Sequence, residues 1–438
     1  MATVLVVGGG GREHALTWSL GKSPHVDRIL VAPGNPGTAS ERRCKNIAVG
    51  ADDIAGLVAA ARHESVDLVA VGPEAPLAAG LTDALDAVGI PAFGPTAACA
   101  RLEASKPYCK TFLDALSIPT GASASFRDPD LALAYLERLP SAPVIKAGGL
   151  AAGKGVVVAE THGEAAAAIR AMLIDGRFGE AGSEVVVEER LWGTELSVLA
   201  FSDGTDFVVM PSAQDHKRLL DGDGGPNTGG MGAFVPSPVA TGALIDEVSD
   251  RIIRPTLDAL GEAGTPYRGV IYFGLMITDA GPKVLEINCR LGDPEAQAVL
   301  PLLESDLFEV MLGCAGGSLD GVAVDWSRSA STTVVMASAG YPTGSAPPMP
   351  ITGLEEAKLE GCLVFHAGTE RIDGATLAAG GRVLGVTALG STLAEATERA
   401  YAGVKSISFD GAHYRRDIGR RRPPEADRSA PFREPYIG

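Results

Sequence analysis

The sequence predicts a multidomain protein of mixed α/β and α+β class, with an N-terminal doubly wound parallel sheet, a central α+β region bearing a mobile lobe, and a small C-terminal β-rich domain. Three observations carry that reading. At 438 residues the chain exceeds what one hydrophobic core usually serves, and 46% hydrophobic residues suffice for several. Over roughly the first hundred residues, short apolar runs alternate with helix-period patterns, as in a parallel sheet with helical crossovers. Further along, longer strand-like runs follow one another, as in antiparallel sheets.

Residues 4–7 read as a buried strand ending in Gly8, Gly9, Gly10 and Gly11, with a helix from about residue 13. Strand patterns recur at 28–31, 68–71 and 92–93, separated by helical patterns at 52–64 and 77–88, and this first domain is expected to span 1–104. A second domain, 105–327, opens with helices and continues through strands at 144–146, 155–159 and 184–188 around an alanine-rich helix at 164–174. Its lobe, at about 126–189, is expected to move. Strands at 196–201 and 207–210, a helix at 241–262 and paired strands at 269–277 and 283–287 complete it. The third domain, 328–421, combines strands at 331–338, 364–366 and 382–387 with a helix at 393–404. Residues 422–438 are expected to form a flexible tail, and Arg415, Arg416, Arg420, Arg421 and Arg422 read as the start of a solvated basic segment.

The 37 Lys and Arg against 54 Asp and Glu leave a net charge of −17, a field that repels polyanions and anionic lipid. Nucleic acid and membrane are therefore not expected as partners, and no apolar run approaches the roughly eighteen residues of a membrane span. Cys44, Cys99, Cys109, Cys289, Cys314 and Cys362 form no CxxC pair, and the N-terminus has no basic leader. Buried free thiols in a cytoplasmic protein are expected, rather than a zinc site or a disulfide framework.

The glycine run after the first strand invites a dinucleotide reading, but Glu13 stands where the third glycine belongs and no acidic residue follows the strand ending at Val31. A monophosphate held by the loop amides and Arg12 fits better than NAD. The segment Gly148 to Lys154 has P-loop spacing, yet Gly155 replaces the hydroxyl residue that would ligate Mg²⁺, and a strand pattern rather than a helix follows. A glycine loop between antiparallel strands, folded over a triphosphate with Lys146 as a point charge, suits it better. Glu188, Glu189 and Leu191 could supply a hinge for a base and Glu195 could reach ribose hydroxyls, although adjacent acids after a strand are commonly a solvated strand end. Glu286 and Asn288, two apart on a strand, would project hard oxygen ligands from one face for Mg²⁺, with Arg290 just beyond. The glycine-dense stretch 214–231 is too long for a turn and reads as a substrate-lining loop.

These motifs, together with Pro33 to Gly37, Gly72 to Glu74 and Tyr414 to Gly419, occur in an order that resembles the glycinamide ribonucleotide synthetase family of the ATP-grasp superfamily, over nearly the whole chain. The resemblance implies a central ATP-grasp domain and ATP-dependent ligation of glycine to 5-phosphoribosylamine. The products would be glycinamide ribonucleotide, ADP and phosphate, formed through glycyl phosphate in de novo purine biosynthesis. It assigns ATP to Lys106, Lys146, Gly153, Lys154, Gly155, Glu188, Glu189, Leu191 and Glu195, and Mg²⁺ or Mn²⁺ to Glu286 and Asn288. Catalytic roles fall to Arg290, Asp293 and Asp215; substrate contacts fall to Gly9, Gly10, Arg12, Lys217 and Asn227 and to the same three residues. A monomer is expected. The alternatives are another ATP-grasp carboxylate-amine ligase or carboxylase, and a non-catalytic nucleotide sensor. Gly148 departs from the family's usual Asp or Ser, which leaves two readings: a loop mobile when empty, or a positive φ reserved for glycine.

Overall fold

The computed structural model describes residues 1–151, 153–344 and 346–420, and the expected tail lies outside them. The first sheet is wholly parallel, in the spatial order Cys44–Asn46, Val26–Pro33, Ala2–Gly8, Leu68–Val71, Ala92–Phe93. Its strands are apolar on both faces because helices cover both, which is why they were readable as continuous runs. The chain reverses its direction of winding beside Ala2–Gly8, so the glycine run opens at the crevice where α/β sheets take ligands. The helical pattern at 77–88 divides into Glu74–Ala78 and Leu81–Asp86, because Gly80 takes a left-handed φ of 84° between them.

Ser105 opens the next helix, Lys106–Ala115, by accepting from the Tyr108 amide, with Pro107 in the first turn. The antiparallel sheet Phe207–Val209, Thr194–Asp203, Arg268–Thr278, Gly281–Asn288 forms the floor of the central region. A second antiparallel sheet, Ser123–Phe126, Val185–Glu188, Val144–Ala147, Val156–Val158, makes the lobe, packed under Pro129–Leu136 and His162–Leu173. The long helix expected at 241–262 is present as Gly242–Val248 and Arg254–Glu262 joined by a π turn at Ser249–Ile253. Pro255 lacks an amide hydrogen, so the regular ladder cannot run through this junction.

The third sheet is antiparallel, in the order Gln214–Asp215, Gly232–Val235, Ala330–Ala337, Arg382–Gly390, Leu363–His366, with Leu393–Ser406 against it. Gln214–Asp215 comes from the stretch read as a loop and Gly232–Val235 follows directly after it, and the residues between them fold as a hairpin, Arg218–Leu220 with Gly224–Asn227. Arg415 corrects another expectation: it is fully buried at 0% exposure, not part of a solvated segment. All six cysteines are free thiols; five are buried and Cys44 is half-buried. Among the described residues no helix is long and apolar enough to cross a membrane.

The first and third sheets meet at the glycine run. Asn35 Nδ2 donates to Gly9 O at 2.9 Å and to His366 O at 2.8 Å, while His14 Nδ1 accepts from the His366 amide at 2.7 Å. Burial, with His14 alongside, pulls the His366 imidazole down to about 3, so that ring stays neutral beside the junction. Gly37 closes the junction: a Cβ there would lie 2.3 Å from His14 Cε1 and 2.7 Å from His366 Cβ. Gly37→Ala should therefore lower unfolding free energy by about 1–3 kcal/mol through overpacking. Gly242→Ala, a helical position whose Cβ would meet nothing within 4 Å, should not. Denaturant titration of both variants checks this, and equal stability would show that the junction yields freely.

Candidate active site

Glu286 and Asn288 stand on one face of Gly281–Asn288, opposite Gly274 and Tyr272. Gly274 leaves room for the carboxylate, since a Cβ would lie 3.1 Å from Glu286 Cγ. Lys217 Nζ is 3.1 Å from Glu286 Oε1 and 3.7 Å from Glu195 Oε2. Lys217, helped by Lys146 and Lys106 and against the effect of burial, holds the Glu286 carboxyl down at about 2. Burial opposes the charge on Lys217, but Glu286 and Glu195 raise its pKa well above the ordinary lysine value. An ionised carboxylate beside the Asn288 amide oxygen is a hard donor set, and it fits Mg²⁺ or Mn²⁺.

The lobe contributes a second charged layer. Lys146 Nζ donates to Leu285 O at 2.9 Å and lies 2.7 Å from Glu188 Oε2, tying the lobe to the strand that carries Glu286. Lys110 Nζ donates to Glu188 Oε1 at 2.5 Å and to Thr120 Oγ1 at 2.6 Å. Glu188, only 2% exposed, is thus the anion between two lysines. Lys106 Nζ donates to Gly149 O at 3.3 Å, and burial lowers its pKa. Glu189 Oε2 accepts from the Ala122 amide at 3.2 Å, Leu191 is half-buried, and Glu195 is an exposed edge of the same face. The Gly148 amide donates to Glu184 O at 2.8 Å, and its φ lies outside the left-handed range that favours glycine. Close approach accounts for this glycine instead, since a Cβ would meet Glu184 O at 2.9 Å.

A cleft of about 640 Å³ brings together Gly9 and Gly10 of the first domain, Lys154 of the lobe loop, Asp293, and Tyr341 and Arg382 of the third sheet region. Arg382 Nη1 donates to Gly229 O at 2.7 Å and to Asp293 O at 2.6 Å, and its Nη2 lies 3.2 Å from Asp293 Oδ2. Against the effect of burial, Arg382 keeps the Asp293 pKa below the ordinary value. Tyr341 Oη accepts from the Gly229 amide at 3.0 Å. Lys110, Arg382 and Tyr341 carry no local motif, and only the fold brings them here.

Several expected residues are engaged differently from the sequence expectation. Arg12 is buried, with Nε donating to Glu13 Oε1 at 2.6 Å and Nη1 to Leu291 O at 3.2 Å. The Gly10 amide, expected to face a phosphate, donates to Glu13 Oε2 at 2.6 Å. Arg290 lies 3.2 Å from Glu74 Oε2 and 2.8 Å from Glu103 Oε1, and it donates to Asn288 Oδ1 at 3.3 Å. Asp215 Oδ1 accepts from the His216 amide at 2.6 Å; burial and then Glu295 raise its pKa well above the ordinary value. Asn227 pairs with Arg218 in the hairpin.

Family models for phosphoribosylglycinamide synthetase match in sequence order: the N domain at residues 2–103, the ATP-grasp (A) domain at 104–296 and the C domain at 331–421. A phosphoribosylamine–glycine ligase of Vibrio parahaemolyticus is 48% identical over 95% of this chain and 98% of its own length. The chain belongs to the phosphoribosylglycinamide synthetase family. A second ligase of that name, from Allochromatium vinosum, is 50% identical over the same shares of both chains. The chicken trifunctional purine biosynthetic protein adenosine-3 is 51% identical over 95% of this chain, which spans 42% of that protein. The crystal structure of the Thermotoga maritima phosphoribosylamine–glycine ligase superposes with a TM-score of 0.82 at 32% identity, covering 95% of this chain and 99% of that one. A biotin carboxylase domain from Hydrogenobacter thermophilus, at 13% identity and a TM-score of 0.67, shares the fold over 94% of this chain and 91% of that one.

The Lys217–Glu286 pair makes stability depend on pH. Glu286 is depressed from 4.5 to about 2, so its contribution is complete above pH 4.5 and is lost as pH falls through 2. Glu286→Gln should be less stable than the parent at pH 7 by roughly 1–2 kcal/mol, allowing for its partial solvent contact. The gap should narrow below pH 4.5 and close near pH 2. Denaturant unfolding at pH 7, 5 and 3 measures it; a gap unchanged between pH 7 and 3 would contradict the pairing.

Proposed function

We propose that the chain joins glycine to 5-phosphoribosylamine at the expense of ATP, yielding glycinamide ribonucleotide, ADP and phosphate, as a soluble cytoplasmic enzyme of purine biosynthesis. The observation that carries this reading is the cleft in which the first-domain glycine run, Lys154 of the lobe loop and the Asp293–Arg382 pair meet.

In the proposed reaction a carboxylate oxygen of glycine attacks the γ-phosphorus of ATP and ADP departs, leaving glycyl phosphate. The amine of phosphoribosylamine then attacks the carbonyl, loses a proton and expels phosphate. Little covalent work falls to the protein, so positioning and charge neutralisation dominate. Mg²⁺ or Mn²⁺ held by Glu286 and Asn288 would neutralise charge on the phosphates. Lys106, Lys146 and Lys154 present ammonium groups to the triphosphate, and Gly153 and Gly155 let the loop backbone approach it. Glu189, Leu191 and Glu195 border the nucleoside. Asp215, whose charge is disfavoured by burial and by Glu295, gains from an arriving ammonium group, and Asp293 offers a second carboxylate for it. Arg290 is poised on Asn288 to follow the transferred phosphoryl. Gly9 and Gly10 line the sugar-phosphate end, with Arg12 bracing the loop from behind.

Phosphate release should require ATP, glycine and phosphoribosylamine together, and omission of any one should abolish it. Release supported by bicarbonate or another carboxylate in place of glycine would favour a different ATP-grasp reaction, and ATP binding without turnover would favour a sensor. Glu286→Gln should lower turnover by about 100-fold or more and raise the metal concentration needed for half-maximal rate. Unchanged metal dependence would remove Glu286 from the ligand set.

A further inference from the structure

Arg415 is the largest fully buried side chain of the fold, and the proposed chemistry does not use it. Its guanidinium forks onto Asp417, with Nε to Oδ1 and Nη2 to Oδ2 both at 2.7 Å. Its remaining terminal nitrogen, Nη1, reaches across the chain to the hairpin, donating to Asp223 Oδ1 at 2.9 Å and to Arg218 O at 3.1 Å. Neighbouring residues add to the attachment. Asp417 Oδ2 accepts from the Gly222 amide at 2.9 Å, Asp221 Oδ1 accepts from the Arg416 amide at 2.7 Å, and His413 Nε2 lies 3.0 Å from Leu219 O. Residues 413–417 therefore grip the hairpin at Arg218, Leu219, Asp221, Gly222 and Asp223.

The other end of the hairpin runs directly into the site. Lys217 precedes Arg218, and its carbonyl accepts from the Thr228 amide at 2.7 Å and from Thr228 Oγ1 at 2.9 Å. The backbone position of Lys217 is thus set by the hairpin alone on one side, while its ammonium lies against Glu286. A lysine stem has four rotatable bonds, so holding its ammonium at one carboxylate requires a fixed backbone. We propose that Arg415 is a positioning residue: acting through the hairpin, it sets Lys217 against Glu286, and the C-terminal segment is thereby part of the active-site framework. This rests on the reading of Lys217 and Glu286 as parts of the ATP-dependent site.

The test uses the full chain. Arg415→Met should accelerate amide hydrogen exchange across 218–227 at least tenfold while exchange in Val144–Ala147 stays unchanged. The Kd for ATP, measured by calorimetry, should stay within twofold, and kcat should fall at least tenfold. A fall in kcat with ATP affinity lost in proportion, or hairpin exchange equal to the parent, would overturn the proposal. Should Arg415→Met fail to fold, the double variant Asp221→Ala and Asp223→Ala removes only the hairpin's acceptors and keeps the Arg415–Asp417 fork. Backbone contacts at Arg218, Leu219 and Gly222 remain, so it should show the same split in smaller measure; parental exchange and kcat in that variant would overturn the proposal. Arg415→Lys, which keeps the charge but cannot fork, should restore folding without restoring slow hairpin exchange; full recovery of both would overturn the fork as the cause. Hairpin exchange and ATP affinity do not depend on which substrates are joined, so failure of the functional reading would appear separately, as a parent protein without glycine-dependent phosphate release.

Discussion

The site rests on one electrostatic constraint: cations that lie in buried or half-buried places must each have an anion beside them. Lys217 sits on Glu286, Lys146 and Lys110 share Glu188, Arg290 lies between Glu74 and Glu103, and Arg382 holds Asp293. Each pair is wholly or partly buried, where an unpaired charge would cost several kcal/mol. Nearly every pair also bridges segments far apart in the chain. The charges required by the chemistry are therefore the same charges that draw the lobe, the central sheet and the third sheet around one cleft.

Ligand binding in such a site is an exchange of partners rather than a creation of new charge. In the proposed reaction a triphosphate beside Lys146 would compete with Glu188, with Lys110 left to neutralise that carboxylate, and a divalent cation at Glu286 would compete with Lys217, whose ammonium lies 3.7 Å from Glu195. Donors arranged in advance need little reorganisation as charge moves from ATP to the carboxylate and on to phosphate, which is where most of the rate enhancement in phosphoryl transfer arises.

The parallel sheet was legible because its strands are apolar on both faces, and the glycine loop and the Glu286–Asn288 spacing were legible because their chemistry lies within a few residues. What escaped was long-range. Lys110 meets Glu188 across 78 positions, Arg382 meets Asp293 across 89, and Arg415 meets Asp223 across 192, and no local pattern records such partners. Glycine density hid strands as well: residues 214–231 read as loop because Gly, Pro and Asp punctuate them, yet Gln214–Asp215 is a strand and Arg218–Leu220 with Gly224–Asn227 a hairpin, whose pairing supplies the order that propensity withholds. Glu13 has a role beyond its sequence reading. Read as the residue that spoils a dinucleotide fingerprint, it is the group that caps the glycine run from within the helix.

In the proposed reaction this arrangement activates a carboxylate by phosphorylation before the amine arrives. Glycine labelled with ¹⁸O in both carboxylate oxygens tests it most directly, with the inorganic phosphate formed during turnover read by mass spectrometry. One labelled oxygen should appear in each phosphate, because the carboxylate oxygen that bonds to phosphorus is the one whose bond to carbon later breaks. Phosphate free of label would contradict the account and require a route in which the carboxylate oxygen never joins phosphorus.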